Sequence, residues 1–174
     1  SDRKQCDQCP KGERQHEEGQ TNCVACGNGK YGSEAGLSAE TCYSCPAGFF
    51  SALSSASTEC TACEEGMYSS VTGLHKPDSG TACKSCPDGY YSESAGAVHC
   101  TACATGKTGD SSVDNNVATH CKNCDPGTFT DVEGTLNSCK ACPVGYKVNS
   151  DRKQCDQCPK GERQHEEGQT NCVA

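Results

Sequence analysis

Large apolar side chains are sparse along this chain, and the aromatic ones recur at a fixed distance from cysteines. The 174 residues contain no Ile and no Trp, and Leu, Val and Phe occur only 4, 9 and 3 times. This share is well below the roughly 20% of Leu, Ile, Val and Phe under which a chain usually stays disordered. The pattern therefore predicts that no central hydrophobic core forms and that something else must hold short elements together.

The cysteines set the period of the chain. Every cysteine lies in a C-x-x-C pair, and Cys172 is the first half of the last one. The complete pairs begin at residues 6, 23, 42, 60, 83, 100, 121, 139 and 155. A glycine follows each of them at the third position: Gly12, Gly29, Gly48, Gly66, Gly89, Gly106, Gly127, Gly145 and Gly161. Glycine at a fixed offset predicts a turn that needs a positive φ or a close backbone approach.

An aromatic residue often stands two positions after this glycine. The aromatic cases are Tyr31, Phe50, Tyr68, Tyr91 and Phe129, whereas Arg14, Thr108, Lys147 and Arg163 break the pattern. We expect each ring to cover a disulfide and to serve as the miniature core of its module. A platform on which a ligand stacks is the alternative interpretation.

The pairs are of two kinds. Those beginning at 23, 60, 100 and 139 carry Ala before the second cysteine, and the others carry a polar residue there. A polar pair is followed by the next pair after 17 or 18 residues, whereas the spacing after an Ala pair is 19, 23, 21 or 16. This predicts two-loop modules of about 37 residues, near 23–59, 60–99, 100–138 and 139–171. We expect stacking to bury the constant loops, and the variable loops to face outward.

The sequence also repeats with a longer period, which contains several of these modules. Residues 1–25 and 150–174 are identical, and both read SDRKQCDQCPKGERQHEEGQTNCVA. We therefore predict that residues 1–149 form one full tandem unit and that residues 150–174 begin the next identical one. The chain would then be a window cut from a longer array.

The number of cysteines indicates the compartment. The 19 cysteines make up about 11% of the chain, more than the roughly 8–10% that marks a disulfide scaffold. Disulfides persist in oxidising surroundings, so the sequence predicts an extracellular or cell-surface protein. Zinc ribbons also use C-x-x-C pairs, but this acidic chain has no repeated His beside them. A thioredoxin-type motif would occur singly, near a βαβ pattern.

Two pairings of the cysteines are open. Bonding within each C-x-x-C pair would leave Cys172 alone, whereas a ladder between successive pairs leaves Cys6 to bond the preceding unit. We favour the ladder, because a bridge that closes about 15 residues contributes roughly 3 kcal/mol in the chain-entropy model. Its bonds would be Cys9–Cys23, Cys26–Cys42, Cys45–Cys60, Cys63–Cys83, Cys86–Cys100, Cys103–Cys121, Cys124–Cys139, Cys142–Cys155 and Cys158–Cys172.

Two stretches carry a family likeness. CPAGFFSALSSASTEC and CPDGYYSESAGAVHC resemble the cysteine-rich loops of ephrin-receptor-like and tumour-necrosis-factor-receptor repeats. The C-x-x-C pairs along the chain resemble those of protist surface antigens, including diplomonad variant surface proteins and ciliate immobilisation antigens. The resemblance implies an extracellular cysteine-rich repeat. The chain departs from the receptor pattern in having four cysteines per module, so no ligand-binding residue is carried over.

The charged and polar residues point to no enzyme, cofactor or nucleic-acid partner. The net charge is −8, and no basic patch could displace counterions from phosphates. The histidines are not arranged with a nucleophile, and we expect all of them to be solvated loop residues: His16, His75, His99, His120 and His165. Asp110, Asp114, Asn115 and Asn116 lack the spacing of a calcium loop, which favours a polar surface turn. We therefore predict no catalytic residue, cofactor or metal.

We also expect no small-molecule substrate. No apolar run in the fragment approaches the roughly 18–20 residues of a membrane span. The sequence has no N-x-[ST] site, although its Ser and Thr leave room for O-linked sugar.

The predicted fold class is small and disulfide-rich: an elongated rod of tandem disulfide-laddered loops with short β-hairpins and almost no helix. Eight loops at about 10 Å each would span on the order of 80 Å. The predicted function is that of a structural repeat whose partner is itself, in a filament, sheath or hair-like structure with lateral contacts through 27–41, 64–82 and 104–120. A receptor or adhesin ectodomain, or a monomeric stalk, is the alternative. Identical units favour the structural function, since a binding array tends to diversify its loops.

Overall fold

The computed structural model describes residues 7–38, 42–52, 55–75, 83–110, 120–136 and 138–174. Within these ranges the backbone forms short strands, turns and bends, and no α-helix. Consequently no helix in the described ranges is long and apolar enough to cross a membrane. The described residues fall into two compact units, one from 1–84 with 95–99 and the other from 85–94 with 100–174.

Strands of two or three residues recur along both units. In chain order they are β1 Glu13–Arg14, β2 Val24–Ala25, β3 Lys30–Tyr31, β4 Tyr43–Ser44, β5 Phe49–Ser51, β6 Thr61–Ala62, β7 Met67–Tyr68, β8 Leu74–His75, β9 Lys84–Ser85, β10 Tyr90–Tyr91, β11 Thr101–Ala102, β12 Lys107–Gly109, β13 Cys121–Asn123, β14 Thr128–Phe129, β15 Lys140–Ala141, β16 Tyr146–Val148 and β17 Cys155–Gln157.

Most of these strands form antiparallel hairpins that share one pairing pattern. The strand that follows a C-x-x-C pair and its glycine pairs with the residues between the two cysteines of the next pair. Thus β3 pairs with β4, so that Tyr31 faces Tyr43, and β10 pairs with β11. The same pairing joins β1 to β2, β5 to β6, β12 to β13, β14 to β15 and β16 to β17. In addition, β8 lies parallel to β5 on its other side.

Nine disulfides join the second cysteine of one pair to the first cysteine of the next, and each bond closes one loop. We number the loops in chain order: loop 1 is 10–22, loop 2 is 27–41, loop 3 is 46–59, loop 4 is 64–82, loop 5 is 87–99, loop 6 is 104–120, loop 7 is 125–138, loop 8 is 143–154 and loop 9 is 159–171. The bonds are Cys9–Cys23, Cys26–Cys42, Cys45–Cys60, Cys63–Cys83, Cys86–Cys100, Cys103–Cys121, Cys124–Cys139, Cys142–Cys155 and Cys158–Cys172. The predicted fold class of disulfide-laddered tandem loops is thereby confirmed, while Cys6 lies outside the described residues.

The buried apolar residues are mostly half-cystines. Leu37 and Phe50 are the buried non-cysteine apolar side chains in the described ranges. Phe50 packs with Cys63, and the partly buried Met67 and Leu74 adjoin them. A ring thus covers a disulfide at this position, as the sequence predicts, and the bond takes the place of a core.

The division into buried constant loops and outward variable loops is wrong at the turns near the start of the loops. The turn glycine is buried both in the constant loop 3, at Gly48, and in the variable loop 4, at Gly66. The residue three positions later is buried in both as well, at Ser51 and Ser69. The reason is that both kinds of loop stack through the same turn near their start. Much of the extra length of the variable loops falls in 39–41, 76–82 and 111–119, which lie outside the described residues.

Candidate functional site: the stacking face of the loops

The glycine after each C-x-x-C pair, here called the turn glycine, has a left-handed backbone. Its φ lies between +73° and +91° at every position from Gly12 to Gly161. Such angles cost an L-residue roughly 1–2 kcal/mol, which explains why glycine occupies the position. The tight turn that results sends the chain directly into the first strand of each hairpin.

A second left-handed residue, here called the far-turn residue, follows later in every loop other than loop 6, in which residues 111–119 lie outside the described ranges. The far-turn residues are Gly19, Gly36, Ala56, Gly73, Gly96, Gly134, Arg152 and Gly168. Ala56 and Arg152 have φ values of 56° and 59° without being glycine. Since the left-handed region is unfavourable for them, their geometry indicates that the surrounding loops impose it.

Backbone hydrogen bonds join each loop to the next through the turn glycine. The amide of Cys26 donates to the carbonyl of Gly12 at 2.8 Å, and the same bond joins Cys63 to Gly48 at 2.8 Å. In the other direction, the turn-glycine amide donates into the following loop. The amide of Gly48 donates to the Ser69 carbonyl at 2.8 Å. The turns at Gly12 and Gly48 are therefore held from both of their polar ends.

The far-turn residue adds a third bond between neighbouring loops. Its amide donates to the carbonyl of the cysteine that opens the preceding loop. The bonds run from Gly36 to Cys9, Ala56 to Cys26, Gly73 to Cys45, Gly96 to Cys63, Gly134 to Cys103 and Gly168 to Cys142, with lengths of 2.7–3.1 Å. These repeated bonds satisfy backbone groups that would be costly to bury without partners.

Beyond their neighbours, several loops also contact the loop after next. A Cβ added to Gly29 would overlap the carbonyl oxygen of Gly73, and one added to Gly127 would overlap that of Gly168. The pairs Gly12–Ala56, Gly48–Gly96 and Gly89–Gly134 have the same relation. The turn glycine therefore also permits a backbone-to-backbone approach between loop n and loop n+2. We call this arrangement of turns and far turns the stacking face.

The identical stretches 1–25 and 150–174 adopt the same local structure where described. Arg14 pairs with Val24, and Arg163 pairs with Val173 in the same antiparallel sense. The side-chain amide of Gln20 donates to Glu17 at 3.0 Å, and the copies of these residues repeat the bond at 3.1 Å. Loops 1 and 9 are therefore the same element in structure as well as in sequence.

Their surroundings differ at the turn glycine. Gly12 is buried beneath loop 3, where an added Cβ would overlap Ala56. Gly161 is exposed, and a Cβ there would meet nothing within 4 Å. Gly145 in loop 8 likewise has open space beside it. Among the described residues, the turn glycines of loops 8 and 9 therefore lack the close backbone approach that is present at Gly12.

His120 is fully buried, so the expectation that every histidine is a solvated loop residue is wrong at this position. Its Nε2 accepts a hydrogen bond from the amide of Gly89 at 3.3 Å. Gly109, three residues after its turn glycine, lacks a side chain, and the imidazole lies close beside it. The ring therefore provides the acceptor that the Ser51 hydroxyl provides for Gly29 at 2.9 Å. His16, His99 and His165 are exposed, as expected, and His75 is half-buried.

We predict that His120→Leu lowers the free energy of unfolding by about 1–3 kcal/mol, because it leaves the buried Gly89 amide without this acceptor. The matched control is His99→Leu at an exposed position, where a surface substitution costs less than about 0.5 kcal/mol. Guanidinium unfolding of both variants measures the difference. Equal stability of the two variants would show that the bond contributes nothing.

The described residues carry no group of three or more His, Cys, Asp or Glu side chains placed to hold a metal. Of the four residues considered for calcium, Asp110 lies 3.4 Å from the ammonium group of Lys122. Asp114, Asn115 and Asn116 lie outside the described residues. A groove in the first unit is lined by Lys11, Tyr31, Ser33, Pro46, Phe49, Thr58, Glu59 and Cys60, and it is open to solvent.

One recurrent position of the stacking face was not predicted from the sequence. The third residue after the turn glycine is small and buried in six of the loops: Gly32, Ser51, Ser69, Ser92, Gly109 and Thr130. The signal was available in the sequence, one position beyond the aromatic series. A larger residue there would separate one turn from the next.

Part of the chain matches a protein-family model. Residues 75–116 match the family model described as tyrosine-protein kinase ephrin type A/B receptor-like. The matched stretch spans the end of loop 4, loop 5 and most of loop 6. No curated protein matches the chain. The match and the nine successive disulfides support a cysteine-rich repeat protein, and the likeness to protist antigens rests on the C-x-x-C pattern alone.

Proposed function

We propose that this chain is a structural repeat of an extracellular or cell-surface protein and that it assembles with copies of itself into a filament, sheath or hair-like structure. The disulfides and the ephrin-receptor-like match support the extracellular location. Such repeats are typically non-enzymatic, which agrees with a structural function.

The observation that carries the proposal is the register of the stacking face. In each unit, turns bond the next loop and contact the loop after next, largely through backbone atoms. Repeat proteins of this kind gain much of their stability from contacts between neighbouring repeats, so further repeats extend the same stack. The identical stretches 1–25 and 150–174 supply the same face twice, 149 residues apart.

The second candidate is a receptor or adhesin ectodomain, or a stalk that holds another domain away from a membrane. The ephrin-receptor-like match favours it, because that model describes part of a receptor. The match covers only residues 75–116, so it supports the repeat type more strongly than a particular receptor function.

Imaging decides between these candidates. We predict that the purified, oxidised chain forms filaments or lateral arrays as its concentration is raised, when it is viewed by negative-stain electron microscopy. If only single, unassociated particles were seen at millimolar concentration, the filament would be excluded, and the stalk or receptor would be the remaining candidate. The fully reduced and alkylated chain is the control, since it lacks the folded stacking face.

A further inference from the structure

A groove in the first unit lies where loops 1, 2 and 3 meet, and loops 2 and 3 each line it with an aromatic ring. Its volume is about 510 Å³, within the roughly 300–1,000 Å³ of typical ligand sites. The rings are those of Tyr31 and Phe49, and Pro46 adds a third apolar side chain. Because the chain has only six Tyr, three Phe and no Trp, two rings in one groove concentrate apolar surface that is scarce in this protein.

Both rings are held by packing within the unit. The Tyr31 ring lies 5.8 Å from that of Tyr43, its cross-strand partner, and the two ring planes are tilted by 46°. The Phe49 ring lies against the far-turn Gly96 of loop 5, where an added Cβ would come to 3.0 Å from it. Tyr31 and Phe49 nevertheless remain only partly buried. The groove therefore offers pre-positioned rings, which lowers the entropic cost of binding a ligand.

The polar side chains of the groove carry no net charge. Lys11 and Glu59 contribute one charge of each sign, and Ser33 and Thr58 contribute hydroxyl groups. All four are exposed, and within the described residues none of these side chains forms a hydrogen bond or an ion pair with the protein. An ion of either sign would meet a like charge here. An uncharged ligand with several hydroxyl groups could instead use the ammonium group as a donor and the carboxylate as an acceptor.

We propose that this groove binds a neutral pyranose sugar. The C–H face of a pyranose ring packs on the Tyr31 and Phe49 rings, whose π-faces are negative, while its hydroxyl groups bond the polar side chains around them. Tyr31 would then be the platform on which a ligand stacks, whereas Phe50 packs with the half-cystine Cys63. The site does not depend on self-assembly, because all its residues lie within one unit of one molecule.

The experiment is a titration of the isotope-labelled, oxidised chain with the methyl glycosides of glucose, galactose, mannose and N-acetylglucosamine, followed by NMR. We expect at least one sugar to cause saturable shifts of the Tyr31 and Phe49 signals, with a dissociation constant on the order of 1 mM. If no sugar shifts these signals at about 100 mM, where a millimolar site is saturated, the proposal is overturned. A proline-rich peptide also packs on aromatic grooves, and its binding in place of every sugar would overturn the saccharide as well.

Two aromatic substitutions form a matched pair for the same titration. Phe49→Ala should weaken sugar binding by at least about fivefold, because the stacking surface is lost. Tyr90→Ala is the control, since Tyr90 also follows its turn glycine directly and packs on a far-turn glycine, Gly134, but does not line the groove. It should bind sugar like the unaltered chain. Equal weakening by the two substitutions would show that the groove is not the site.

Glu59→Ala tests the polar contact without touching the packing of the unit, because the Glu59 side chain is exposed. Loss of one hydrogen bond to the sugar should weaken binding by about fivefold. The spectrum of the free variant should otherwise match that of the unaltered chain, which separates lost binding from lost folding. Unchanged affinity in both Glu59→Ala and Phe49→Ala would place the sugar elsewhere and contradict the proposal.

Discussion

Replacing the Cys63–Cys83 disulfide with two alanines is expected to lower the free energy of unfolding by more than 3 kcal/mol. Closing a loop of this length contributes roughly 3 kcal/mol by restricting the unfolded chain. The folded state loses contacts as well, because Cys63 is completely buried and packs with Phe50, beside the partly buried Met67 and Leu74. Few other apolar side chains could compensate for this loss.

The matched control is the replacement of Cys158–Cys172 with two alanines. This bond has a sequence separation of 14, against 20 for Cys63–Cys83, so the chain-entropy contributions are similar. Both of its cysteines are only partly buried, and no ring packs on them in the described cluster. Guanidinium unfolding should therefore show a smaller loss for the control. Equal losses would indicate that the ring over Cys63 adds nothing to the bond.

Gly29→Ala is expected to destabilise the first unit by roughly 2–5 kcal/mol. About 1–2 kcal/mol comes from an L-residue at a φ of +73°. The remainder comes from overlap of the new methyl group with the carbonyl of Gly73, since forcing extra volume into a packed site typically costs about 1–3 kcal/mol. Loops 2 and 4 would have to separate to admit it.

Gly145→Ala separates these two contributions. Gly145 also follows an Ala-type pair and has a φ of +84°, but a Cβ there meets nothing within 4 Å. Its substitution should therefore cost only the conformational part. Thermal unfolding followed by tyrosine fluorescence compares the two variants. If Gly145→Ala were as damaging as Gly29→Ala, the close approach of alternate loops would not contribute to stability.

Much of the architecture could be predicted from the sequence because cysteine and glycine impose local geometry. The fixed C-x-x-C spacing and the lack of a core favour bonds between successive pairs, and each pair and its glycine repeat one hairpin. The positive φ at residues such as Gly48 has the same local origin. Such features can be predicted without knowing which loops lie next to one another.

The stacking face could not be predicted in the same way, because its contacts join residues that are distant in the sequence. The approach of Gly29 to Gly73 spans two loops of different length. The burial of His120 arises because Gly109 lacks a side chain and leaves room for an imidazole beside Gly89. Nothing near His120 in the sequence distinguishes it from the exposed His99. The length differences between loops lie in their later parts, whereas stacking depends on the turns near the start of each loop.

Each loop is closed by its own disulfide and stacks on the next. Mass-spectrometric mapping of the non-reduced, proteolysed chain tests it most directly. We expect peptides that link Cys45 to Cys60 and Cys86 to Cys100, as in the ladder of the described residues. Recovery of bonds within a pair, such as Cys42 to Cys45, would contradict it, because the loops would then be unclosed and no stacking face could form.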